Sequence, residues 1–188
     1  MKYLLAFIGF SICGIVGSQV VWTEPTFPTL DDTVILYYDV TEGNGALAEL
    51  TEPCPGCPYI YAHTGVITSQ SSSSSNWHHV QNPWPSTSPN NLSEANAGNV
   101  LLPLESSSSV HTFHFNGLTL AEYYGIEDGE ELEELAFVFR DALGTVVGKN
   151  ADESDILIPV SNGDYEVDFA SPPLDFNIIA SGEQIEIQ

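Results

Sequence analysis

Thr33-Val34-Ile35-Leu36-Tyr37-Tyr38-Asp39-Val40 is the stretch from which the fold is read. β-Branched and aromatic residues suit a pleated, half-buried surface, and here they run unbroken from Asp31-Asp32 to the turn Glu42-Gly43-Asn44-Gly45. Tyr59 to Thr68 (YIYAHTGVIT) repeats the pattern, with Gly65 as an interruption. From His111 to Phe115 the alternation is strict, placing His111, Phe113 and Phe115 on one face and Thr112 and His114 on the other. Leu135 to Arg140 (LAFVFR) and Ile156 to Val160 supply further apolar runs, the first ending at Asp141-Ala142-Leu143-Gly144. Six or seven short strands with Pro, Gly and Ser between them predict an all-β chain folded as a two-sheet sandwich.

Between the strands the sequence is polar. The acidic stretch from Glu127 to Glu134 contains Gly129 and leads straight into a strand, so it reads as a solvated turn with at most one helical turn. Two serine-rich segments, Ser69 to Ser75 and Ser106 to Ser109, flank Asn76 to Glu105, which carries Pro83, Pro85, Pro89 and Pro103. A long polar segment of this kind is predicted to protrude from the sandwich as a functional loop. Trp22, near the start of the β-pattern, is read as a plug in the core.

The chain opens with Met1-Lys2, an apolar run from Tyr3 to Val16, and Gly17-Ser18, the layout of a secretory signal with cleavage near Ser18. Residues 1–18 are assigned to it, and the protein is expected to be secreted or held at the cell surface. Loss of Lys2 takes the formal net charge from −23 to −24 and leaves Arg140 and Lys149 as the only cations. So negative a surface repels nucleic acid and anionic lipid while tolerating cations and neutral ligands such as sugars. After Ser18 no apolar run is long enough to span a bilayer, so no membrane association is expected once the signal is removed. Hydrophobic content of 43% and aromatic content of 11% place the chain among folded proteins despite its charge.

With Cys13 inside the signal, Cys54 and Cys57 remain, in Cys54-Pro55-Gly56-Cys57. In an exported chain the pair reads as a small loop-closing disulfide. A redox motif would stand at a helix start after a buried strand, whereas here Pro53, Pro55 and Pro58 surround it and a strand pattern follows; zinc would need further ligands. Residues 19–167 are assigned to the sandwich. Asp168 to Pro173 reads as a linker, and Ile178-Ile179 with Gln184 to Gln188 as the opening strands of a second, truncated module; docking of these strands on the sandwich is the alternative.

Trp77 and Trp84 stand in a stretch without strand or helix period, beside His78, His79, Gln81, Asn82 and Asn90-Asn91. Sugar recognition uses this composition, because pyranose C–H groups pack on an aromatic face while hydroxyls bond to flanking polar groups. The opposing reading folds the indoles back as a lid over the sheet edge. For a hard cation such as calcium, two oxygen-rich turns qualify: Asp39 with Asn44, and the stretch from Asp141 to Asp155 with Asp152 and Asp155; ordinary turn chemistry competes for the same oxygens. His111 and His114 point to opposite faces and cannot chelate together from one strand. No nucleophile elbow, phosphate loop or His-Glu-x-x-His is present, and no catalytic residue is predicted.

The run Val34 to Asp39 with Gly43-Asn44-Gly45-Ala46-Leu47, then Tyr59 to Thr68, Trp77 and Trp84, then Leu135 to Asp141 with Gly144 and Asp155-Ile156, resembles the N-terminal immunoglobulin-like module of secreted bacterial multidomain proteins, among them amylase-type glycoside hydrolases and surface-sorted proteins. More distantly, the Tyr-Ala-His strand followed by a Trp loop is similar to starch-binding carbohydrate-binding modules. The likeness spans Thr33 to Val160 and implies an immunoglobulin-like β-sandwich of about seven strands. By the starch-binding likeness, His63 is a polar contact, Trp77 a stacking platform and Trp84 a second one. The expectation is a non-catalytic, carbohydrate-binding accessory module that takes an α-glucan or related polysaccharide and works alongside downstream domains of its own polypeptide; the alternative is a structural or adhesive spacer. No cofactor is expected apart from the calcium already considered.

Overall fold

The computed structural model describes residues 19–51, 60–86, 88–105 and 108–162. Residues 1–18, Cys54, Cys57 and the segment 168–188 lie outside them, and with them the signal, disulfide and second-module assignments. The described residues form an all-β fold of nine antiparallel strands: β1 Val21–Glu24, β2 Thr33–Asp39, β3 Ile60–Thr68, β4 His78–Gln81, β5 Val100–Pro103, β6 Val110–Thr119, β7 Leu132–Arg140, β8 Val147–Gly148 and β9 Ile156–Pro159. Two short helices, α1 Pro89–Ala95 and α2 Leu120–Tyr124, complete the set together with a 3₁₀ turn at Ala48–Thr51.

One strand makes the sheet turn a corner. Val100 and Leu101 of β5 pair with Tyr61 and Ile60 of β3, while Leu102 and Pro103 pair with Thr112 and His111 of β6. The layer β1-β2-β6 is thereby joined to the layer in which β3 runs beside β7, with β4 on the far side of β3 and β8 and β9 on the far side of β7. The result is one continuous, nearly barrel-like sheet.

Alternation decides what lies inside. Val34, Leu36 and Tyr38 point inward from β2, and Phe113 and Phe115 from β6; they meet Ile60, Ala62 and Val66 of β3 and Leu135, Phe137 and Phe139 of β7. Tyr38 stacks on Phe139 across the layers at 4.0 Å between ring centroids. Side chains of this size each contribute roughly 2 kcal/mol when fully buried. α2 closes one end, burying Leu120 and bringing Tyr123 and Tyr124 down on Phe115.

Four elements differ from the sequence reading. Trp22 is not a core plug: its register partner is Tyr37, and the two rings stack at 5.3 Å on the half-buried outer face, while Thr23 takes the inward position. The segment Asn76 to Glu105 does not protrude as a loop; it holds β4, α1 and β5 and lies against the sheet. α2 was not anticipated, and β7 begins at Leu132, inside the acidic stretch read as a turn.

Candidate functional site

The inward residues of β3 and β7 leave the others for the outer face. Across it Tyr61 faces Arg140, His63 faces Val138, and Gly65 faces Ala136. The chain from Trp77 to Trp84 crosses this surface, and Gly65 lets it come close. A Cβ at Gly65 would lie 3.0 Å from the His78 carbonyl oxygen and 3.3 Å from Cβ of Trp77.

That crossing assembles the three residues predicted to bind sugar. The His63 ring lies 5.8 Å from Trp77, near parallel, and 5.0 Å from Trp84, edge to face. Trp77 is half-buried, and its indole Nε1 donates to the Ser74 carbonyl at 3.2 Å. Trp84 is 41% exposed and is one of the large apolar side chains open to solvent.

Arg140 lies beneath. Its guanidinium sits 5.8 Å from the Trp84 ring and 5.4 Å from Tyr61, a cation–π arrangement on both. The side chain is 0% exposed; its Nη1 donates to Asn96 Oδ1 at 2.8 Å and to the Asp141 carbonyl at 3.0 Å, and Nη2 donates to the carbonyl of Ala95. A cation at the last carbonyls of a helix meets the negative end of its dipole, so Arg140 fastens the C-terminus of α1 to the sheet. Asn96 extends the clamp by donating to the Ala142 carbonyl at 3.2 Å. In the turn Asp141 to Gly144 that carries this carbonyl, a Cβ on Gly144 would lie 3.0 Å from Nε1 of Trp84, so this glycine gives the indole its space.

The electrostatics follow from burial. Desolvation, reinforced by the positive charge of Arg140 and partly opposed by Asp155, lowers the His63 pKa to about 4, so the ring is neutral near pH 7. Its Nδ1 is buried without a hydrogen-bond partner among the described residues, as is Nε of Arg140. Beside Ser74 a groove of about 500 Å³ opens, lined by Ser75, Asn150, Glu153 and Asp155 with Leu157 among them.

The proposed cation ligands are spread over separate turns. Asp39 accepts from the backbone and hydroxyl of Thr41 at 3.0 and 2.7 Å. Asn44 Oδ1 accepts from the amides of Ala46 and Lys149. Asp152 accepts from the amide and hydroxyl of Ser154 at 3.0 and 2.6 Å, and Asp155 pairs with Lys149 at 2.8 Å. These are the bonds of ordinary Asx turns, one ion pair and one bond from Lys149 that ties its turn to that of Asn44. Among the described residues no group of three or more His, Cys, Asp or Glu is gathered as a metal site.

Sequence reasoning missed Arg140 as the organiser of this surface. Its signal was present: the single arginine of the chain closes the apolar run Leu135 to Arg140, where a charged side chain beside a buried strand needs partners of its own. The sequence matches no protein-family model and no curated protein.

Proposed function

We propose that the chain is a non-catalytic carbohydrate-binding module that takes a neutral polysaccharide of the α-glucan type on the Trp84 indole, with Trp77 and His63 beside it. The observation that carries this reading is the state of Trp84: its edge and underside are fixed by His63 and Arg140, while 41% of the residue stays open to water. A rigid, solvent-facing ring is what pyranose stacking requires, since a platform already held in place loses little freedom when it binds. A neutral His63 supplies hydrogen bonding without a charge to desolvate, and the groove next to Ser74 adds hydroxyl, amide and carboxylate groups for sugar hydroxyls. Each stacked ring contributes on the order of 1 kcal/mol beyond area burial, so retention on a polymer depends on several modules acting together in one polypeptide. The lysine-led apolar opening supports export, and the net charge of −23 favours neutral over anionic polymers.

A second reading, a structural or adhesive immunoglobulin-like spacer, is favoured by Trp77, which is half-buried and hydrogen-bonded within its own segment. Retention on insoluble starch, compared between the native chain and Trp84→Ala, separates the two. The binding reading expects retention by the native chain and its loss in a variant that still unfolds in one cooperative transition, with a melting temperature lowered by the lost contacts to Arg140 and His63. Failure of the native chain to be retained on a panel of neutral polysaccharides leaves the spacer.

A further inference from the structure

Asparagine followed by glycine is the dipeptide in which the main chain most readily attacks its own side chain, because no Cβ shields the approach to the glycine nitrogen. The chain contains it three times, as Asn44-Gly45, Asn116-Gly117 and Asn162-Gly163, the last running out of the described residues. The fold treats the first two oppositely. Asn44 is tied at both ends of its carboxamide: Nδ2 donates to the Val147 carbonyl at 2.9 Å, and Oδ1 accepts from the amides of Ala46 and Lys149. The Gly45 nitrogen is engaged as well, donating to the Glu42 carbonyl at 3.1 Å. Asn116 stands instead in a bulge of β6. The ladder to β2 passes from the pair Ile35 and His114 to the pair Thr33 and Thr119, so Phe115 to Leu118 have no register partner. Phe115 stays in the core, while Asn116 and Gly117 lie exposed at φ 56° and 72°. A Cβ on Gly117 would meet nothing within 4 Å, and the Asn116 carboxamide has no hydrogen bond among the described residues. Reorienting this dipeptide disturbs no paired residue, a local opening far less costly than unfolding the sheet.

We propose that Asn116 is a site of spontaneous deamidation, selected by the bulge. The Gly117 nitrogen, on losing its proton, bonds to the side-chain carbonyl carbon of Asn116; the bond from that carbon to Nδ2 breaks, and ammonia leaves with the proton. Water then opens the cyclic imide at one carbonyl or the other, giving aspartate or isoaspartate. Each event adds one negative charge to a chain already at −23. Isoaspartate also puts an extra methylene into the main chain, for which a bulge outside the register has room.

The test is incubation of the full native chain at mildly alkaline pH, in parallel with the same chain in urea, followed by digestion with a glutamate-specific protease and peptide mass spectrometry. Glu42 and Glu49 bracket one site, Glu105 and Glu122 the other, so the two conversions are read on separate peptides. The expected result is conversion of Asn116 at least about tenfold faster than Asn44 in the native chain, with urea bringing the two rates together, as when native bonds alone protect one site. A native rate at Asn116 equal to or below that of Asn44, with both sites reacting in urea, overturns the proposal. A lead for Asn116 that persists undiminished in urea belongs to the neighbouring sequence rather than to the bulge, and overturns it as well.

Discussion

Single atoms carry several of the decisions in this molecule. The Thr64 hydroxyl donates to the Ala136 carbonyl at 2.9 Å, which commits its only proton, so the fully buried Tyr124 hydroxyl must donate to Thr64. Removal of the two partners is therefore unequal. Thr64→Val strands the tyrosine proton and is expected to cost about 1–3 kcal/mol, whereas Tyr124→Phe takes away one neutral bond and costs about 1 kcal/mol; chemical denaturation of both variants checks the order. His63 makes a second prediction. Burial, then Arg140, lowers its pKa from 6.5 to about 4, so between those values the unfolded chain takes up a proton that the folded chain refuses. Its contribution is fully kept above pH 6.5, declines as the pH falls and is exhausted below about 4. In His63→Gln this part of the pH–stability curve should become shallower, with a remaining slope from His111, whose pKa burial also lowers, as thermal melts across that range would reveal. The three sugar candidates, His63, Trp77 and Trp84, were legible in the sequence as residue types, and their convergence follows from Gly65, whose role as a crossing point needs three-dimensional register to be seen.

Elements differ in how their information is encoded. β2, β3, β6 and β7 were readable because runs of β-branched and aromatic residues, strictly alternating in β6 and nearly continuous in β7, signal strands locally. α2 was also written locally: Thr119 and Glu122 form a capping box and Gly125 ends the helix at φ 68°, but five residues are too few to show a helical period. α1, β4 and β5 were not readable, since what holds them is distant in sequence. α1 has no side-chain N-cap bond and is fastened at its other end by Arg140, 45 residues from Ala95. β4 is seated by the missing side chain at Gly65. Gly65→Val should therefore push the His78 carbonyl and Trp77 away from β3 at a cost of about 1–3 kcal/mol, with a red shift of tryptophan emission as Trp77 becomes wetter. Unchanged emission and melting temperature would show that β4 needs no such gap.

At the scale of the whole molecule, charge and connectivity act together. A formal net charge of −23 on 188 residues makes the surface repel itself, and screening should relieve this strain. The melting temperature is expected to rise from low to moderate sodium chloride and then level off; indifference to salt across that series would argue that repulsion contributes nothing. Because β5 gives its first half to one layer and its second half to the other, the layers share a strand, and a single cooperative transition is expected. The scarcity of cations has a practical corollary. Trypsin can cut this chain only after Lys2, Arg140 or Lys149, and the scissile bond at Arg140 ends a strand held between two neighbours with its side chain sealed away. A protease that needs an extended, accessible substrate must wait for that strand to come free, so the rate of nicking at this one peptide bond is a built-in clock for how often the sheet opens.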